Sequence, residues 1–86
     1  MKQLLFVVYD SKAELYNFPF QMQTKGQAIR GFTDLANDVN TTIGQHPEDF
    51  TLFQIGEYED TKGEFTILDA KQSIGTALEF KREVEQ

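Results

Sequence analysis

The chain has 86 residues, a formal net charge of −6, 13% aromatic residues and no Cys. That length holds one domain with a modest core, and the lack of Cys excludes disulfides, thiolate chemistry and Cys-ligated metal centres. The acidic balance opposes non-specific attraction to a phosphate backbone, so any nucleic-acid contact must be a local patch.

The apolar run that follows Met1-Lys2-Gln3 stops at Asp10. It is too short for a signal peptide or a membrane span, and a soluble protein is expected. From Lys2 to Asp10 it is apolar at both parities, the pattern of a central strand covered on each side. Asp10 to Glu14 reads as a polar turn. Tyr16, Phe18, Phe20 and Met22 then alternate with polar residues or Pro19, which predicts a second strand with those four side chains on one face. Pro19 marks it as an edge strand or one with a break in its ladder.

Thr24-Lys25-Gly26-Gln27 has the spacing of a capping box. The apolar residues Ala28, Ile29, Phe32, Leu35, Ala36 and Val39 that follow form a helical stripe, predicting a helix that ends near Asn40. Residues 40–45 read as loop, with Ile43 as an anchor. His46-Pro47 stops the chain before an aromatic-rich strand from about Phe50 to Tyr58. A polar loop at residues 59–63 and the run Glu64 to Leu68 complete a β-hairpin. Asp69 to Ser73 reads as a polar break, Ile74 to Phe80 is ambiguous, and residues 81–86 are expected to fray.

The expected fold is therefore α+β, in the order β-β-α-β-β, with a short C-terminal segment. Residues 1–80 form one domain with a four-stranded, mostly antiparallel sheet and a central first strand. One helix covers one face. Perfect alternation would place Leu52 and Tyr58 on one side of the third strand and Phe53 and Ile55 on the other. Both sides are apolar, and an uncovered second face predicts a dimer or a bound partner. The candidate interaction surface is Leu52, Phe53, Ile55 and Tyr58.

Catalytic and metal motifs are sparse. His46 is the only imidazole, and with Glu48 and Asp49 beside it the bland reading is a surface turn rather than a base or a ligand. Glu57, Glu59, Asp60 and Glu64 crowd the hairpin tip without the spacing of an EF-hand or a two-metal site, and read as a solvated turn. Thr24-Lys25-Gly26 could receive a phosphate, although every capped helix offers such a start. No phosphate-loop, dinucleotide, nucleophile-elbow or zinc-protease pattern occurs, so neither an enzyme, a metal nor a cofactor is expected. For single-stranded DNA the candidate stacking residues are Tyr9, Tyr16, Phe18 and Tyr58, and the candidate cations are Lys2, Lys12, Lys25, Arg30 and Lys62.

Several short motifs in fixed order carry a resemblance: Tyr9-Asp10-Ser11-Lys12-Ala13-Glu14, Pro19-Phe20, Gly26-Gln27-Ala28-Ile29-Arg30, and His46-Pro47-Glu48-Asp49-Phe50-Thr51-Leu52-Phe53 with Ile55-Gly56. Over about residues 4–68 the chain resembles the small nonstructural protein of gokushoviruses, the single-stranded DNA phages of the Microviridae. The resemblance implies a non-enzymatic protein of the host cytoplasm that binds DNA and assists synthesis or packaging of the single-stranded genome. The acidic charge keeps open an adaptor that binds the replication initiator, a host replication factor or the procapsid.

Overall fold

The structure is a computed structural model that describes residues 1–82. Among them β1 (Lys2–Asp10), β2 (Leu15–Tyr16), β3 (Phe20–Met22), β4 (Phe50–Glu59) and β5 (Glu64–Thr76) form one sheet, ordered β2-β1-β4-β5, with β3 also paired to β1. Every pairing is antiparallel. The helices are α1 (Lys25–Ala36), α2 (Thr42–Gln45) and α3 (Ala77–Phe80), with a 3-10 turn at Pro47–Asp49. The α+β class, the antiparallel sheet and the central first strand are as expected. The strand and helix counts are larger.

α1 starts where the capping box predicts. Thr24 Oγ1 accepts the Gln27 N–H at 3.1 Å, and Gln27 Oε1 accepts the Thr24 N–H at 3.3 Å. The helix stops at Ala36 rather than near Asn40, because Asn37 caps it. Val39, the last member of the predicted stripe, is consequently exposed. Ala28, Phe32 and Ala36 of the stripe join Phe6, Val8, Phe50, Leu52 and Ala77 in the core. Ile43 does anchor its segment, as part of the short helix α2, by packing against that core.

The predicted second strand is broken at Asn17-Phe18-Pro19, the break that Pro19 foreshadows. Its halves differ in register by one residue: Tyr16 lies opposite Tyr9, whereas Phe20 lies opposite Phe6. Because directly opposed residues share a face, Phe20 and Met22 point to the α1 side and Tyr16 to the other. The predicted single-faced row therefore does not form.

A second parity change occurs in β4. Leu5 opposes Gly56 while Phe6 opposes Gln54, leaving Ile55 as a one-residue bulge. Leu52 stays in the core, fully buried. Beyond the bulge, Tyr58 opposes Gln3, so it joins Phe53 on the face away from α1 instead of sharing a side with Leu52.

The expected polar break at residues 69–73 is strand, and β5 runs on to Thr76. β5 is an edge strand whose side chains are almost all exposed, so a polar composition there reflects exposure to water rather than a turn. Between the pairs Gly56–Ile67 and Gln54–Gln72 its register also shifts. The ambiguous stretch resolves into the end of β5 and α3, and Phe80 meets Phe32 edge to face with ring centroids 6.0 Å apart. In the expected tail, Arg82 N–H donates to Asn37 Oδ1 at 2.7 Å; residues 83–86 lie outside the described residues. No described helix is long and apolar enough to cross a membrane.

Candidate nucleic-acid interface

α1, α2 and α3 all pack on one side of the sheet, through Phe32, Ile43 and Ala77. Among the described residues no helix covers the other side, which carries Leu5, Val7 and Tyr9 of β1. Leu5 and Val7 are nevertheless buried, in a face that also holds the aromatic side chains of the neighbouring strands.

Tyr9 and Tyr16 face each other across β1 and β2, with ring centroids 4.6 Å apart. Tyr16 is 6.3 Å from Phe53, which lies opposite Val7 on β4. The three rings thus form a row across three strands. Lys71 of β5 extends over it, with Nζ 5.4 Å from the Tyr16 ring centre and 5.9 Å from that of Phe53. Both lie within the range in which a ring's quadrupole attracts an ammonium. Flat π-faces beside a cation have the composition of a single-strand stacking platform.

Tyr58 lies on the same face toward the hairpin tip, paired with Phe65 at 4.7 Å between centroids. The predicted cations do not converge on these aromatics. Lys25 and Arg30 belong to α1, on the opposite side of the sheet. Lys12 lies in the turn after β1 and Lys62 in the hairpin loop, at opposite ends of β1. Of the predicted interaction surface, Leu52 is withdrawn into the core and Phe53 and Tyr58 reach the open face, while Ile55 is half-buried at the bulge.

Lys71 escaped the sequence reading because its segment looked like a polar break. No spacing in the sequence marks it: its place follows from the pairing of Phe53 with Ser73, two residues farther along β5.

Two charged clusters lie elsewhere. His46, Glu48 and Asp49 bring potential ligand atoms within 4.8 Å of one another, a closeness that the 3-10 turn begun by Pro47 imposes. They are largely solvent-exposed and could supply only part of the oxygen-rich shell a hard divalent cation takes. At the hairpin tip, the N-terminal ammonium bonds Glu59 Oε1 at 2.6 Å and also reaches Asp60. That ammonium, followed by the Thr61 hydroxyl and N–H, lowers the Glu59 pKa from 4.5 to about 2. The tip acids leave the Tyr16–Lys71 end of the open face as the part of it farther from the acidic hairpin loop.

The model of the phage ORF5 protein family matches residues 3–80. The chain belongs to that family. It is also similar to Protein ORF5 of Chlamydia phage 1, at 34% identity over 74 residues, covering 81% of this chain and 77% of the relative. The resemblance to a Microviridae phage protein is thus borne out, and the family match extends past residue 68 through β5 and α3. No solved structure matches the chain.

Proposed function

We propose that this ORF5 family member is a nonstructural, non-enzymatic protein that binds single-stranded DNA in the host cytoplasm and assists synthesis or packaging of the phage's single-stranded genome. The observation that supports it most is the Tyr9–Tyr16–Phe53 row beneath Lys71 on a sheet face that no described helix covers. Bases stack on the rings, each contact contributing about 1–3 kcal/mol without sequence preference. Lys71 swings from the rings to a phosphate. With one cation at the row in an acidic protein, stacking outweighs charge, and salt dependence is shallow rather than steep. Releasing one counterion from a single strand corresponds to a slope of roughly −0.7 in log K against log salt.

Fluorescence anisotropy with single- and double-stranded oligonucleotides at two salt concentrations tests this reading. Single-strand preference is expected, abolished in Tyr16→Ala and with a salt slope near zero in Lys71→Ala. Equal affinity of wild type and Tyr16→Ala, or no binding at low salt, removes it.

The second reading is an adaptor that contacts the replication initiator, a host replication factor or the procapsid without touching DNA. It is favoured by the net charge of −6 and by Phe65 and Ile67, exposed on the same face near the acidic tip. Pull-down by initiator or coat protein that survives Tyr16→Ala but not Phe65→Ser supports this reading over the first.

A further inference from the structure

In the break between β2 and β3, Phe18 is 94% exposed, more than any other large apolar side chain among the described residues. It is not presented by a loose loop. Asn17, its neighbour, is tied to Val8 through both its backbone N–H and its side-chain oxygen, and Pro19 fixes the backbone on the other side. An aromatic carried on a fixed backbone loses little backbone entropy when it is buried by a partner, which suits an interface anchor.

Beside it is a hollow of about 360 Å³ lined by Val8, Phe20, Phe32, Leu35 and Ile43. Asn17 forms part of its wall, so anchor and hollow adjoin. A surface that carries both a knob and a matching hole is self-complementary about a two-fold axis, since each copy's knob then meets the other copy's hole.

Charge points to the same occupant. Residues 15–24 and 39–47 contain no Asp, Glu, Lys or Arg, and both segments contribute to this trough, through Asn17, Phe20 and Met22 and through Ile43. In a chain of net charge −6, two copies repel each other least where they meet along these uncharged segments, and interface centres are depleted of charge in the same way.

We propose that the chain forms a two-fold dimer in which Phe18 of each copy inserts into the hollow of the other. The hollow lies on the opposite side of the sheet from the Tyr9–Tyr16–Phe53 row, so the proposal stands apart from DNA binding. The dimer leaves both rows open.

Sedimentation across a concentration series tests the proposal with two variants. Phe18→Ala removes the knob at a position with almost no contacts of its own. Gly31→Leu fills the hole: Gly31 lines the hollow, and a Cβ added there meets nothing within 4 Å. Replacing a mid-helix glycine should keep the melting temperature at or above that of the wild type.

The wild type is expected to dimerise, and each variant to weaken dimerisation by roughly a thousandfold, because the axis removes an anchor contact twice. An equimolar mixture of the two variants retains one knob-and-hole pair. It should associate more tightly than either variant alone and less tightly than the wild type. A monomeric wild type overturns the proposal and leaves the hollow to another occupant. Dimerisation unchanged in both variants, or a mixture no tighter than its components, overturns it as well.

Discussion

Asn17 grips Val8 twice: its N–H donates to the Val8 carbonyl at 2.9 Å, and its Oδ1 accepts the Val8 N–H at 2.7 Å. The side chain thereby takes the place of the strand partner missing between β2 and β3, and the broken ladder leaves no half-buried N–H of Val8 without an acceptor.

Asn17→Ala should therefore destabilise the fold by about 1–3 kcal/mol, the range for removing one partner of a part-buried bond. Asn17→Asp keeps the acceptor and should recover most of that loss. Urea denaturation of the three proteins checks both expectations.

Gly44 packs against the backbone that leaves α1. A Cβ there would collide with the Asp38 carbonyl oxygen and lie 3.0 Å from that of Leu35. The backbone cannot yield as a flexible side chain would, so Gly44→Ala should cost about 2 kcal/mol or more in the same assay. Gly31→Ala on the open part of α1 should instead stabilise, by up to about 1 kcal/mol.

Thr24→Ala removes the acceptor that caps α1 and should cost about 1 kcal/mol. The loss should appear as a lower thermal midpoint. Thr24→Ser should restore it.

The ion pair at the hairpin tip makes stability depend on pH in a defined direction. The Glu59 pKa is depressed from 4.5 to about 2, so its contribution is fully present above the unfolded value and is lost as pH falls toward the folded one. The N-terminal ammonium is raised above 8.0, so its contribution is present below that value and is lost as pH climbs past its folded pKa. Both groups reach solvent, so the effect is small and salt screens it. Denaturant midpoints measured at low and high salt should show a shallow acid decline at low salt, absent in Glu59→Gln.

If the open face binds single strands, Lys25→Ala with Arg30→Ala should leave affinity and salt slope unchanged, since both side chains belong to α1 on the other side of the sheet. A slope reduced by the double variant would move the DNA to the helix side. Anisotropy titration decides it.

The elements with side-chain signatures were legible in the sequence. The Thr24–Gln27 box is a chemical pattern, the two-sided apolar run of β1 follows from its central place, and Gly63, with φ of 65°, closes the expected hairpin. Which face each aromatic occupies was not legible. One unpaired residue at Ile55 and a one-residue offset between β2 and β3 reverse the alternation, and neither offset has a composition of its own. Tyr58 and Tyr16 therefore appear on faces that strict period-two counting does not assign, and Lys71 was hidden in a segment whose polarity reflects an edge.

The hairpin's acids also have a role that is independent of any ligand. Among the described residues β5 presents an unpaired backbone edge beside exposed Phe65, Ile67 and Leu68, the composition from which fibrils grow by strand addition. Glu64 begins that edge strand and Glu59 and Asp60 lie at its hairpin turn, the placement by which gatekeeper charges oppose edge-to-edge growth. Glu64→Gln should therefore shorten the protein's colloidal lifetime while leaving its fold intact.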